Sequence, residues 1–131
     1  MGDQEIIDKV RDCVATALGR EPEEVTLEKV LSRDLEAESI DYLDITFQLE
    51  KAFQITIQKD ELFPQKIFQD ETLVKGGVVT EKGLSFLAEK LPYADLSSFR
   101  SDPKVTRVPD LFTVQLLVNY VKTKLGTKQG A

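Results

Sequence analysis

A chain of 131 residues that is 41% hydrophobic carries one domain's worth of apolar material, and none of its apolar runs reaches the ~18 residues that span a bilayer. It has no histidine and a single cysteine, Cys13, which removes the commonest general base and metal ligand, every Ser-His or Cys-His nucleophile pair, an internal disulfide and a structural zinc site. The net charge of −6 is unevenly held: residues 1–62 carry 16 acids against 7 bases and residues 63–131 carry 7 against 10, so the front half repels nucleic acid and anionic membrane and attracts basic protein surfaces.

At the N-terminus Asp3, Glu5 and Asp8 stand where an export signal would be basic, so none is expected, and the lone cysteine agrees with a reducing cytoplasm. Asp3 caps a predicted helix in which Ile6, Ile7, Val10, Val14, Ala17 and Leu18 recur with a period of about 3.6 residues, and Gly19 ends it. Cys13 falls among these apolar positions and reads as a buried structural thiol. Residues 20–38 form a long loop anchored by Val25, Leu27, Val30, Leu31 and Leu35, with a short helical turn suggested at Pro22-Glu23-Glu24.

A second helix is predicted over about 39–53. At about 100° per residue, Tyr42, Ile45, Thr46, Leu49, Ala52 and Phe53 share one broad face, the expected core face. Ile40, Leu43 and Phe47 lie opposite, among Asp41, Asp44, Gln48, Glu50 and Lys51. A narrow apolar stripe edged with carboxylates is either wrapped by another part of the chain or used to dock a partner.

Residues 60–110 read differently. Gly76-Gly77 between Leu73-Val74 and Val78-Val79 predicts a small hairpin. Thr80 caps a predicted helix over 81–91 with Leu84, Leu87, Ala88 and Leu91 on one stripe, Phe86 off it, and Pro92 as its end. A loop over 92–110 follows, whose bases Arg100, Lys104 and Arg107 are read as balancing nearby carboxylates. The last helix is predicted over about 110–124 from Asp110, with a frayed tail from Gly126 to residue 131.

Ser39, at the start of the second helix, admits two readings. It is an N-cap, its oxygen accepting a backbone N–H one turn in, or it is a hydroxyl offered outward for modification, since a helix N-terminus favours an attached phosphate. Without histidine this serine has no familiar partner to activate it, so a modifying enzyme must come from outside.

Leu18-Gly19, Glu24-Val25-Thr26, Asp34-Leu35, Ala37-Glu38-Ser39-Ile40-Asp41, Leu49-Glu50 and then Phe53, Ile55 and Ile57 fall in one order, and Thr113-Val114-Gln115 through Tyr120-Val121 closes it. In this the chain resembles the acyl carrier protein family over about residues 4–62 and 104–124. The resemblance implies an all-α, four-helix carrier bundle forming a single domain over 1–131, monomeric, with residues 63–109 inserted as a short helix and small hairpin. It implies 4′-phosphopantetheine, donated by coenzyme A, on Ser39 through a phosphopantetheinyl transferase, with an acyl group held as a thioester. Glu38, Ile40, Asp41, Leu43, Asp44, Phe47 and Glu50 are then the surface met by basic patches of loading, elongating and acyltransferase enzymes. Tyr42 lies at the core edge or at the mouth of an acyl pocket. The chain itself is expected to catalyse nothing, bind no metal and no nucleic acid, and work in fatty-acid or specialised lipid biosynthesis in the cytoplasm.

Three residues depart from the family's pattern. Glu38 replaces the usual aspartate, Ile40 the usual leucine, and Glu36 sits where glycine is usual, which predicts a differently bent loop before Ser39 and a narrower set of transferases. The long inserted segment resembles that of specialised bacterial carriers, and its helix is expected to enlarge or lid the acyl site. The competing readings are an unmodified bundle that binds proteins and a carrier in polyketide or nonribosomal peptide synthesis.

Overall fold

The first long helix, α1 (Asp3–Leu18), buries Ile6, Val10, Cys13, Val14 and Ala15. In the computed structural model, which describes residues 2–58, 61–63, 66–91, 94 and 96–129 without the side chains of Ser39 and residues 127–129, this helix packs against α2 (Ser39–Phe53) and α6 (Val114–Gln129). Gly2 occupies the N-cap of α1 and Asp3 is its first helical residue, one place later than the cap expected from the sequence. At the other end Gly19 stands at φ 66° and its N–H donates to the Ala15 carbonyl, a left-handed close that a side chain would strain.

The 20–38 loop is pinned at both ends. Pro22–Glu24 form the expected short turn, a 3-10 helix. Arg11 reaches from α1 to donate to the carbonyls of Val25 and Pro22, each at 2.8 Å. Val25, Val30, Leu31 and Leu35 are all buried. Further on, the loop is stitched to the head of α6: Leu31 N–H donates to the Phe112 carbonyl at 3.0 Å, Val114 N–H to Lys29 at 3.0 Å and Gln115 N–H to Leu27 at 2.9 Å. Backbone pairing of this kind satisfies groups that a buried loop would otherwise leave orphaned.

Between α2 and α6 the chain runs through short elements: α3 (Lys66–Gln69), a hairpin of β1 (Val74–Lys75) and β2 (Val78–Val79), α4 (Glu81–Lys90) and α5 (Ser97–Ser101), then a 3-10 stretch, Val105–Leu111. The hairpin pairs antiparallel in the register Val74 with Val79, turning through Gly76 at φ 59° and Gly77 at φ 78°, the double positive-φ turn that suits the twist of two strands. Residues 103–105 lie along its other edge, with Val79 N–H donating to the Pro103 carbonyl at 2.7 Å and Val105 N–H to Gly77 at 2.9 Å. Thr80 caps α4 as expected, its hydroxyl oxygen accepting Gly83 N–H at 3.1 Å. Leu87 and Leu91 are fully buried and Phe86, off that stripe, packs half-buried against the core. Pro92 lies outside the described residues.

Three expectations are corrected here. The loop over 92–110 contains α5 and the 3-10 stretch, and α3 precedes the hairpin; segments of four or five residues are too short to print a helical period. Asp110 belongs to the 3-10 stretch and does not start the last helix: Thr113 does, its Oγ1 accepting Leu116 N–H at 3.1 Å. The tail is helical as far as Gln129, because one glycine at position 126 weakens a helix by only ~1 kcal/mol.

The fold is all-α apart from the two-residue strands. Its buried side chains form one cluster that runs from α1, α2 and α6 into the 63–109 segment through Ile67, Leu73, Val79, Leu87, Phe99 and Val108. Among the described residues no helix is long and apolar enough to cross a membrane.

Candidate functional site

The head of α2 is set by the eight residues before it. Asp34 accepts Val30 N–H on Oδ2 at 2.8 Å, and that backbone bond holds its carboxyl below the usual aspartate range. Ala37 N–H then donates to the Leu31 carbonyl at 2.9 Å, closing the loop under buried Leu31 and Leu35. To do so the chain turns at Glu36 with φ 59°. That is the left-handed conformation that glycine takes without penalty. The glutamate therefore leaves the glycine-type bend in place and adds strain of about 1–2 kcal/mol, where a differently bent loop was expected.

Glu38, extended at φ −107° and ψ 173°, is the N-cap, and Ser39 is the first helical residue. Glu38 N–H donates to Asp41 Oδ2 at 2.7 Å, while Asp41 N–H returns to the Glu38 carbonyl at 2.9 Å. The cap position belongs to Glu38, which removes the plain N-cap reading of Ser39. The Ser39 side chain, and with it the expectation of an outward hydroxyl, lies outside the described part of the structure.

The two faces of α2 separate as the sequence predicts. Ile45 and Leu49 are fully buried and Phe53 nearly so. Ile40 is 71% exposed, Leu43 73% and Phe47 66%, so no described part of the chain wraps that stripe. Of its carboxylates, Glu38 is exposed and Asp41, Asp44 and Glu50 are half-exposed. Two of the four have internal tasks: Asp41 in the cap, and Glu50, whose Oε2 accepts Ile57 N–H at 3.0 Å and holds the chain as it leaves the helix.

Tyr42 is half-buried, and its hydroxyl pKa is raised by burial, against the Ser32 hydroxyl beside it. Its ring centroid lies 4.7 Å from that of Phe63, which lies 5.2 Å from Phe112. This row bridges α2 to the residue just before the Thr113 cap of α6. Phe63 and Phe112 were not singled out from the sequence; isolated aromatics in loops carry no periodic signal. Glu61, two residues before Phe63, accepts the Tyr120 hydroxyl and is 2.9 Å from Lys124 Nζ, and Gln58 N–H donates to its other oxygen at 3.1 Å. Burial pushes its carboxyl up, and these three donors outweigh burial and hold it below the usual glutamate range.

Elsewhere, a cavity of about 340 Å³ opens between α5, the 3-10 stretch and α6, with Phe99 and Leu116 beside Arg107, Asp110, Gln115 and Asn119. Arg107 stays close to its own loop, 3.8 Å from Asp102 and over the Phe99 ring, in line with a charge-balancing role. Cys13 is buried, its thiol pushed up to about 11 by burial and then by Asp12, so it offers no thiolate for carrying a thioester.

A family model described as "Phosphopantetheine attachment site" matches residues 8–72, a span that includes the whole of α2. The acyl carrier protein of Exiguobacterium sibiricum is 36% identical over 61 residues, 47% of this chain and 77% of that protein. The acyl carrier protein of Thermosynechococcus vestitus is 36% identical over 70 residues, covering 53% and 86%. That of Petrotoga mobilis is 30% identical over 95 residues, 72% of this chain and 98% of its own length. The chain belongs to the acyl carrier protein family.

The prosthetic group of such a carrier is covalent 4′-phosphopantetheine, and the head of α2 fits its phosphodiester in part. The first turn of an α-helix points unpaired N–H groups and a positive dipole end outward. Against that, Glu38 and Asp41 bring two carboxylates close by, and the donation from Glu38 N–H to Asp41 spends part of the second charge internally. When bound, the group supplies a thiol at the end of a flexible arm.

Proposed function

We propose that Ser39 is the attachment point and that the chain is a non-enzymatic carrier of an acyl intermediate, working in the cytoplasm in fatty-acid or specialised lipid biosynthesis. The observation that carries this reading is the position of Ser39: first residue of a helix inside the matched span, relieved of capping by Glu38. A phosphopantetheinyl transferase activates it, and acyl-loading, elongating or acyltransferase enzymes then visit it.

The docking surface on this reading is the outer face of α2. Ile40, Leu43 and Phe47 supply apolar contact, while Glu38 and Asp44 with the half-exposed Asp41 and Glu50 attract basic patches. Charge steering gives fast encounter and modest lifetime, which suits a shuttle with several partners. Residues 1–131 form one monomeric carrier domain with the 63–109 segment built into its core. That segment resembles that of the longer, specialised bacterial carriers, which favours a dedicated lipid pathway over general fatty-acid synthesis.

Incubation with a transferase and coenzyme A is the test. Intact mass should rise by one phosphopantetheine, and Ser39→Ala should abolish the rise; modification that survives in Ser39→Ala, or none with several transferases, overturns the reading.

A further inference from the structure

We propose that Arg20 is a positioning residue for the modification of Ser39: its guanidinium locks the Leu35–Glu36 peptide in the left-handed bend that presents the head of α2 to the transferase. This rests on the carrier reading of Ser39. The side chain starts from a fixed root, because Gly19 closes α1 and Arg20 N–H donates to the Ala15 carbonyl at 2.9 Å. From there it crosses to the far end of the 20–38 loop, where its Nε donates to the Leu35 carbonyl at 3.2 Å. Its Nη1 lies 2.9 Å from Glu24 Oε2 and its Nη2 3.5 Å from Glu36 Oε1.

The Leu35 carbonyl and the Glu36 N–H belong to one planar peptide unit. The φ of 59° at Glu36 is a rotation away from that plane. A glutamate left to itself turns to negative φ, which swings the plane and carries the Leu35 oxygen away from Arg20. A bond from a charged donor to the carbonyl of buried Leu35 opposes that turn. Of the other two contacts, the one to Glu36 is long and its carboxylate is 83% exposed, so it adds little. The Glu24 contact, also near the surface, serves to orient the guanidinium. The Leu35 carbonyl therefore carries the lock. Ala37 N–H bonds back to Leu31 directly after the bend, Glu38 then caps α2, and Ser39 follows. If the bend is populated only in part, a transferase meets a smaller competent fraction, so KM rises by the inverse of that fraction while kcat, a property of the bound form, stays.

The unaltered protein, Arg20→Ala, Glu36→Gly and the double variant are incubated with a phosphopantetheinyl transferase and coenzyme A, and modification is followed by intact mass. Failure to modify the unaltered protein strikes the carrier reading, and the lock is then decided without an enzyme. A positive φ brings the N–H and Hα of residue 36 close together, and their strong cross-relaxation in the unaltered protein should weaken in Arg20→Ala. With modification, Arg20→Ala should raise transferase KM about three- to tenfold at unchanged kcat. Loss of a cation alone has the opposite sign, since a more acidic chain draws a basic enzyme closer and lowers KM. In the Glu36→Gly background the bend needs no lock, so Arg20→Ala should there change KM by less than about twofold. Should Arg20→Ala fail to fold, Arg20→Met, which keeps the stem and drops every donor, carries the same comparison. An equal rise in KM in both backgrounds, a KM that is unchanged or lower, a fall in kcat, or undiminished cross-relaxation at residue 36 overturns the proposal.

Discussion

The helix α2 and the segment over 63–109 spend their apolar residues in opposite ways. α2 leaves Ile40, Leu43 and Phe47 mostly exposed although Ile45, Leu49 and Phe53 on its other face are seated in the core. The segment, built of helices of ten residues or fewer, turns Ile67, Leu73, Leu87, Leu91 and Phe99 inward, with Phe68 and Val78 as the large exposed apolar side chains among its described residues. Its charge also differs, 6 acids against 7 bases over residues 63–109 where the front half is strongly acidic. A helix with an uncovered stripe is available to partners; a segment that hides its apolar groups is chiefly part of the support. Among the described residues, three of the five large exposed apolar side chains sit on one face of α2.

Substitutions can break or sharpen this contrast. The largest effect expected is Ser39→Ala, which should remove modification altogether while leaving stability within ~0.5 kcal/mol, since Glu38 holds the cap; a loss nearer ~1 kcal/mol in urea unfolding would return the cap to Ser39. Next comes Leu87→Ala in α4, fully buried, expected to lower unfolding free energy by about 2–5 kcal/mol and to leave modification of the folded fraction intact. Phe47→Ala should do the reverse, with stability nearly unchanged but transferase KM raised about tenfold, ~1.4 kcal/mol of lost contact. A smaller effect is expected at Glu61. Its folded pKa is lowered, so the stability it contributes is full above its unfolded value of about 4.3 and is lost as pH falls through the folded value. Unfolding measured from about pH 6 down to pH 3 should show that loss, and Glu61→Gln should flatten it and cost about 1–2 kcal/mol at neutral pH. The smallest is Glu36→Gly, expected to stabilise by about 0.5–1 kcal/mol through relief of its left-handed φ, less what the freer unfolded chain takes back.

What the sequence made legible follows the same division. The two faces of α2 were readable because fifteen residues give the helical period room to repeat, and Ile45, Leu49 and Phe53 fall where it places them. Thr80 and Gly76-Gly77 were readable as local chemistry, one hydroxyl cap and one positive-φ turn. The head of the last helix was misplaced because Asp110 and Thr113 are both competent caps and only tertiary pairing with residues 27–31 selects the second. Glu36 defeated the local argument, since the closure from Ala37 to Leu31 imposes a bend that its own propensity opposes. The Glu61–Tyr120 contact spans 59 positions, and no local pattern announces a partner at that separation.

The stitching of residues 27–31 to residues 112–115 has a consequence for the order of events during synthesis. The head of α6 leaves the ribosome some 70 residues later than Ser39, so the bonds of Leu27, Lys29 and Leu31 to residues 112–115 are the last that the loop before α2 acquires. A growing chain thus holds that loop by its nearer bonds alone, from Arg11 and Arg20 and within residues 30–37, until most of the molecule exists. Folding of that loop is completed late in translation, and on the carrier reading a chain stalled before Phe112 should be modified more slowly than the finished one.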